Sequence, residues 1–243
     1  MPTYRLDFAY DGTGFHGFAA QPGVRTVQGE LQAALAKVFR QEIDVVAAGR
    51  TDAGVHARRQ VVSFAADRDI PPLTVVRAVT SMLGPEVVAD AARIVPDSFS
   101  ARFSAVARTY RYQILNRPAP DPLRRYTTWH VSHPLDVGAM NKAAAAFVGS
   151  HDFAAFCRRR DGATTERTVY QAGWGHDEDL VAFSIRAKAF CHQMVRSLTG
   201  FCVDVGRGAV DPATVPAVLA EGDRSRARQI APPHGLILWD VDY

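Results

Sequence analysis

The segment Gly49-Arg50-Thr51-Asp52-Ala53-Gly54-Val55-His56-Ala57 stands between two apolar runs, Ile43 to Ala48 and Gln60 to Phe64. Apolar runs of this length bounded by glycine read as strands. The segment is then a loop joining them, with Gly49 and Gly54 supplying backbone freedom. Arg50 and Asp52 are two residues apart, and on an extended backbone they project to the same side. A guanidinium there favours the ionised carboxylate, a state suited to a nucleophile or base and not to an acid. The same residues also suit a plain turn, with Asp52 accepting backbone N–H groups and Arg50 solvated.

At 243 residues, the chain is long enough for a substantial core and for one or two domains. A hydrophobic fraction of 47% and a charged fraction of 22% are those of a soluble globular protein. The net charge of +3 does not by itself mark a nucleic-acid binder. Of 28 basic residues, only Lys37, Lys142 and Lys188 are lysines. Arginine suits bidentate phosphate contacts and stacking on bases, although an Arg- and Ala-rich chain equally fits a GC-rich genome. Cys157, Cys191 and Cys202 are odd in number and lack C-x-x-C spacing. They suggest neither a disulfide framework nor zinc, and a reducing cytoplasm is the expected setting. No signal peptide is apparent at the N-terminus, and no apolar run approaches the ~20 residues that span a bilayer.

Periodicity predicts a strand over Tyr4 to Tyr10 and a helix after Thr26 with Val27, Leu31, Leu35 and Val38 or Phe39 inward. A short helix after Pro71-Pro72 carries Leu73, Val76, Val79 and Leu83, followed by an irregular stretch through Pro85 and Pro96. The second half opens with a strand from Arg108 to Leu115, with Tyr110, Tyr112 and Ile114 on one face. Asp136 caps a helix containing Met140, Ala144, Phe147 and Val148, and Gly149 ends it. Strands follow at Val169 to Gly173 and Leu180 to Ile185, then a helix from Phe190 to Val205 stopped by Gly206. Asp211-Pro212 starts a short helix to Ala220, and Leu236 to Tyr243 is a closing strand. Strand–helix–strand–strand in both halves argues an α+β fold with mixed sheets, divided into residues 1–104 and 105–243.

Gly12-Thr13-Gly14-Phe15-His16-Gly17 matches G-x-G-x-x-G and follows a strand, but Ala19 to Gly23 separates it from the next helix. A dinucleotide turn runs straight into its helix, so a nucleotide cofactor is not expected. His130 and His133 lack further ligands at zinc spacing, and no metal site is expected. His56, His151 and His192 are single histidines with structural or surface roles by default. In the helix read over Phe190 to Val205, Arg196 follows His192 by four residues and shares its polar face.

The string Gly49 to Ala57 resembles the signature of the bacterial tRNA pseudouridine synthase A family. The resemblance extends from Tyr10-Asp11-Gly12 and Thr26-Val27-Gln28 to Gly235-Leu236, nearly the whole chain. It implies Asp52 as the catalytic residue, Tyr110 against the target uridine, and Arg196 on a helix approaching the carboxylate. It makes Arg102, in Phe99-Ser100-Ala101-Arg102, a contact to the tRNA backbone. It also implies the pseudouridine synthase fold: two RNA-recognition-like α/β domains whose sheets join around a cleft. The partners implied are tRNA, through its anticodon stem-loop, and a second copy of the chain. Two positions depart from the family's usual pattern. Phe18-Ala19-Ala20-Gln21 stands for Trp-x-x-Gln, and Leu83-Gly84-Pro85-Glu86 for Leu-Pro-x-Asp.

The reaction implied is isomerisation of uridine to pseudouridine at tRNA positions 38, 39 and 40. It involves no redox change and no group transfer, so it needs no cofactor or metal. A stem uridine must be flipped out, and Arg50 is the residue expected to fill the vacated stack. Arg58 and Arg59 are expected to track phosphates and make binding salt-dependent. Two rival readings are a catalytically inactive tRNA-binding protein or chaperone of the same fold, and a nucleotide-cofactor enzyme using the Gly12–Gly17 loop.

Overall fold

Tyr4, Leu6 and Phe8 alternate along the first strand, and all three are fully buried. That period of two is what a sheet with one face on a helical layer requires. The structure is a computed structural model and describes residues 1–158, 162–227 and 229–243. Its elements are β1 (Thr3–Tyr10), α1 (Val27–Phe39), β2 (Val46–Ala47), β3 (His56–Ala65), α2 (Pro72–Leu83), β4 (Val87–Val95), β5 (Ala107–Asn116) and β6 (Trp129–Val131). They continue with α3 (Val137–Ala145), β7 (Gly149–Asp152), β8 (Glu166–Asp177), β9 (Leu180–Ala187), α4 (Met194–Gly206), α5 (Val215–Glu221) and β10 (Leu236–Asp242). Two compact units result, Met1–Val106 with Ile237–Tyr243, and Ala107–Leu236.

In the first unit the strand order is β4-β1-β3-β10, with β2 also on β3. β1 is antiparallel to both β3 and β4, whereas β10 runs parallel to β3, pairing Ile237 with His56 and Leu238 with Ala57. Thr26 caps α1 by accepting from the Gly29 amide, and the helix buries Val27, Leu31, Leu35 and Phe39. Phe39 meets Tyr4 edge-on at 5.1 Å, and Phe64 stacks on Tyr4 at 5.3 Å. The opposite face of β1 carries charge. Arg5 grips the Asp7 carboxylate through Nε at 2.6 Å and Nη2 at 2.9 Å, both side chains being nearly buried. Arg59 and Arg93 each approach Asp7 Oδ2 at 3.6 Å, and the Tyr243 ring lies 4.3 Å from the Arg5 guanidinium.

The second unit has the order β5-β9-β8-β7, with β6 parallel to β5. Asp136 caps α3 through the Ala139 amide as expected. Asn141 on α3 donates to the Trp174 carbonyl at 3.0 Å and accepts from its amide at 2.8 Å, tying helix to β8. Phe147, Phe156, Phe183 and Phe201 are all fully buried or nearly so. The α+β class with mixed sheets is thus present in both units. No helix among the described residues is long and apolar enough to cross a membrane.

Several expected elements differ. Val87–Val95 is a strand, not irregular chain; its Ala-rich sequence and edge position, paired only with β1, give it no clean alternation. Only Val46 and Ala47 of the run Ile43 to Ala48 form a strand, although Ile43 and Val45 are buried. β3 begins at His56, inside the motif. α2 turns Val75 and Val79 inward and leaves Leu73 exposed. α4 begins at Met194, because Gln193 adopts φ 64°, a left-handed conformation that ends the helix on its N-terminal side. His192 therefore precedes the helix and shares no helical face with Arg196.

Asp7→Ala leaves the Arg5 guanidinium in a buried site without its carboxylate. A loss of about 3 kcal/mol in urea unfolding is expected. Arg93→Ala removes only an outer contact from an exposed side chain, and is expected to cost less than about 1 kcal/mol. Equal, small losses would mean that the cluster is solvated and not a buried pair.

Candidate active site

The loop between β2 and β3 carries Arg50 and Asp52, and four contacts hold it, three through its backbone and one through the Thr51 hydroxyl. Gln60, fully buried on β3, donates from Nε2 to the Gly49 carbonyl at 2.8 Å. The Phe18 amide donates to the Thr51 carbonyl at 3.1 Å, and the Val55 amide closes a turn onto the Asp52 carbonyl at 3.2 Å. The Thr51 hydroxyl shares a buried 2.8 Å hydrogen bond with the Tyr10 hydroxyl at the end of β1. Burial pushes the Tyr10 hydroxyl up to about 12, with Thr51 and Gln60 pulling it the other way. The phenol therefore keeps its proton, and the contact persists, throughout the neutral range.

Gly12 and Gly17 belong to this same assembly. A Cβ on Gly12 would stand 2.0 Å from the Val55 carbonyl oxygen. Gly17 has φ +94°, and a Cβ there would meet the Thr51 carbonyl oxygen at 3.1 Å. The two glycines let one loop lie backbone-to-backbone on the other. That close approach accounts for Gly12 and Gly17, and α1 starts only at Val27, so the loop does not run straight into a helix. His56 joins the same junction, its Nδ1 lying 3.0 Å from both the Gly12 nitrogen and Asp11 Oδ1. One ring nitrogen cannot accept from the amide and donate to the carboxylate at once. The amide has only its proton to offer, so Nδ1 accepts from Gly12, which places the ring proton on Nε2. Asp11 is held instead by the Thr13 amide and hydroxyl at 2.9 and 2.6 Å. Burial opposes its charge, but these Thr13 bonds keep the Asp11 carboxyl below its ordinary value.

With its backbone fixed in this way, the loop leaves Asp52 half-buried and Arg50 exposed. Arg50 makes no ion pair or hydrogen bond among the described residues, so the Arg50–Asp52 pairing expected from their spacing is not formed. The chain from Gly49 to Asp52 belongs to no strand and turns at Ala53-Gly54. Arg58 lies over the Trp239 ring at 4.6 Å. Arg59 is engaged by Asp240 at 3.1 Å and by Asp7, and serves the strand cluster before any phosphate. Arg102 is exposed on a segment moored by the Ala101 amide to Ser63 Oγ at 3.0 Å and by the Tyr243 hydroxyl to the Ala101 carbonyl at 2.8 Å. Phe18 is 1% exposed and packs near Tyr10, so the departure at that position is a core residue. Glu86, the other departure, forms a two-pronged pair with Arg25 at 3.1 and 2.8 Å.

In the second unit, Tyr110 and Tyr112 share one face of β5, as their spacing predicts, but their settings differ. Tyr112 is fully buried and donates to the Pro232 carbonyl at 2.8 Å. Burial raises its hydroxyl above the ordinary value, against the pull of the Arg196 charge. Tyr110 is 8% exposed and meets the Phe190 ring edge-on at 5.0 Å. Arg196, in the first turn of α4, donates from Nε to the Ala231 carbonyl at 2.8 Å, and the Ala231 amide returns a bond to the Arg196 carbonyl at 3.1 Å. Phe190 and Ala231 were not singled out from the sequence, nor were Tyr10, Thr51 and Gln60 in the first unit. Tyr10 stands at the end of an alternating strand and in the Tyr10-Asp11-Gly12 string of the resemblance, but neither marks its bond to Thr51. Among the described residues, no group of three or more His, Cys, Asp or Glu is placed to hold a metal ion.

The braced loop thus presents a half-buried carboxylate two positions from an exposed guanidinium that makes no ion pair or hydrogen bond among the described residues. The chain belongs to the tRNA pseudouridine synthase family, whose model matches residues 8–104 and 143–243. A protein of Frankia casuarinae named tRNA pseudouridine synthase A is 46% identical over 242 residues, 98% of this chain and 88% of that protein. The protein of the same name from Moorella thermoacetica is 42% identical over 247 residues, 100% of each chain. That from Bacillus subtilis is 39% identical over 242 residues, 98% of each.

Tyr10→Phe keeps the ring between Phe8 and Phe18 and removes one hydroxyl. Stability is expected to fall by about 1 kcal/mol. Pseudouridine formation is expected to fall by roughly tenfold or more in kcat, because a reacting group loses its positioning. An unchanged kcat in a normally folded variant would show that the Thr51 bond does not position the loop.

Proposed function

We propose that this chain converts uridine to pseudouridine at positions 38, 39 and 40 of the tRNA anticodon stem-loop, with Asp52 as the nucleophile. The observation that carries the reading is the bracing of the Gly49–Val55 backbone by Gln60, Phe18 and Tyr10 around one half-buried carboxylate. Isomerisation breaks the bond from ribose to nitrogen, turns the uracil while it is held, and rejoins ribose to carbon 5 with loss of its proton. A fixed carboxylate serves this chemistry by attacking the ribose or the uracil, and the atoms balance without any added group. Tyr110 stacks on the uracil and takes part in removing the proton from carbon 5, and Arg196 belongs to the substrate-binding residues that the family resemblance implies. Arg50 enters the stack vacated by the flipped base. Arg58 and Arg102 contact phosphates and make binding salt-dependent; Arg59 acts mainly through its carboxylate pairs. The working form is a homodimer in the cytoplasm, as the family resemblance implies.

Asp52→Asn keeps the size and most hydrogen bonding of the side chain and removes its charge. In protein dialysed against a chelator, the parent is expected to retain full turnover. The variant is expected to bind tRNA with its fold intact and to form no pseudouridine. Substantial product from the variant would overturn the assignment. Arg50→Ala is expected to slow a stem uridine more than a loop uridine, because only the former is extracted from pairing; equal slowing would remove Arg50 from the flipping step.

Tyr110→Phe keeps stacking area and loses the hydroxyl. If the hydroxyl moves a proton, the Phe variant loses turnover by about a hundredfold, and its melting temperature stays near that of the parent. Turnover retained in Tyr110→Phe but lost in a stable Tyr110→Ala assigns the ring to stacking alone. A drop in melting temperature that tracks the lost activity would make Tyr110 a core residue.

A further inference from the structure

The His56 ring nitrogen Nδ1 faces two atoms with opposite needs, each at 3.0 Å. The Gly12 amide can only donate, and ionised Asp11 Oδ1 can only accept. A neutral Nδ1 serves the first and a protonated Nδ1 the second. The two partners lie in unlike places. Gly12 is buried, and it packs so close to Val55 that an added Cβ would stand 2.0 Å from the carbonyl oxygen. The Val55 amide in turn bonds the Asp52 carbonyl at 3.2 Å. Asp11 is exposed, and Thr13 already donates to the same oxygen through its amide and hydroxyl. His56 is the first residue of β3, 6% exposed, and follows Val55 directly.

We propose that His56 is a positioning residue for Asp52: neutral, it holds the Gly12 amide; protonated, it turns to Asp11 and lets that amide go. Asp52 here carries the nucleophile role proposed above, on which this rests. Solvent supplies the proton, and Nδ1 receives it. The Gly12 amide is then left buried without its acceptor, an unfavourable state that the Gly12–Gly17 loop relieves by lifting from the Asp52 turn. The imidazolium keeps a partner in Asp11, so the fold survives and the fit of one loop on the other is lost. Imidazole takes up its proton in the mildly acidic range, so the clamp loosens toward acid pH.

Charged and titratable groups approach the ring from each neighbouring element. The chain after β1 brings Asp11, whose amide ends on the Glu86 carbonyl just before β4; the Glu86 carboxylate is taken by Arg25 at 3.1 and 2.8 Å. β1 itself ends in Tyr10, whose hydroxyl is bound to Thr51. β10 sets the uncharged Ile237 opposite His56, and the turn contributes Asp52 and Arg50. On β3, Arg58 lies over the Trp239 ring. Asp11 is the carboxylate at contact distance, and so the one that receives the protonated ring.

Three variants of the full chain test this, each checked for its fold by circular dichroism. His56→Ala removes the acceptor, and at about pH 8 its kcat is expected to fall roughly tenfold or more with the KM for tRNA little changed. In His56→Asn the amide oxygen stands as many bonds from the backbone as Nδ1 does, and it takes up no proton. Its kcat is expected to recover to within about threefold of the parent. It is also expected to hold from about pH 8 to about pH 5.5, where that of the parent declines. Asp11→Asn removes the charge that favours the imidazolium and is expected to move the decline to lower pH. A folded His56→Ala with unchanged kcat overturns the positioning role. A His56→Asn no better than His56→Ala, or declining with the parent, overturns the proton exchange, and decides the matter even where His56→Ala fails to fold. An unmoved decline in Asp11→Asn removes Asp11 as the second partner. One readout is independent of activity: NMR of the parent without tRNA. Hydrogen-exchange protection of the Gly12 amide is expected to drop as the His56 ring nitrogens move to their protonated shifts; protection that outlasts protonation overturns the release. A parent that shows this change yet forms no pseudouridine at any pH counts instead against the proposed function.

Discussion

The backbone contact between the Gly12–Gly17 loop and the Thr51–Val55 turn is the constraint on which the rest of the candidate site depends. Asp52 sits on irregular chain, where no ladder of hydrogen bonds defines its position, and such chain is ordinarily the mobile part of a fold. Here it is clamped instead, from one side by two glycines that admit direct backbone approach and from the other by Gln60 on β3. On the proposed reading, Asp52 has to stay put while a base leaves, turns and returns, which calls for that degree of pre-organisation. The neighbouring Arg50 is under no such restraint. The clamp grips the loop through backbone atoms and the Thr51 hydroxyl, and Arg50 takes no part in it.

Much of this was readable from local pattern. The alternation Tyr4 to Tyr10, the Thr26 cap with its stripe of Val27, Leu31, Leu35 and Phe39, and the Tyr110–Tyr112 face all emerge as expected, since each is set by period or by a capping oxygen close in sequence. What escaped was set elsewhere. β4 takes its strand form from pairing with β1, and its own Ala-rich sequence shows little alternation. The start of α4 depends on one left-handed residue, Gln193, a conformation that composition does not announce. The Tyr10–Thr51 bond spans 41 positions, and no motif links its ends. The Gly12–Gly17 loop stands apart from the next helix, as its sequence indicates, but its contact with the carboxylate loop needed the third dimension.

Charge is distributed unevenly between structural and surface work. Arg5, Arg25 and Arg59 are each occupied by carboxylates, and Arg196 by a carbonyl. An arginine-rich composition therefore overstates how many guanidinium groups are available to a polyanion. Arg50 stands apart as one that nothing among the described residues engages, and it is also the one beside the carboxylate.

The parallel pairing of β10 with β3 has a consequence for biosynthesis. Residues 237–243 complete the first unit, yet they are translated only after the entire second unit. Until they emerge from the ribosome, His56 and Ala57 lack their neighbouring strand, Arg58 lacks the Trp239 ring, and Arg5 lacks Tyr243. The unit that begins first is thus finished last, and the order of folding runs against the order of synthesis. A nascent chain interrupted before this point carries the carboxylate motif but not the strand that flanks it.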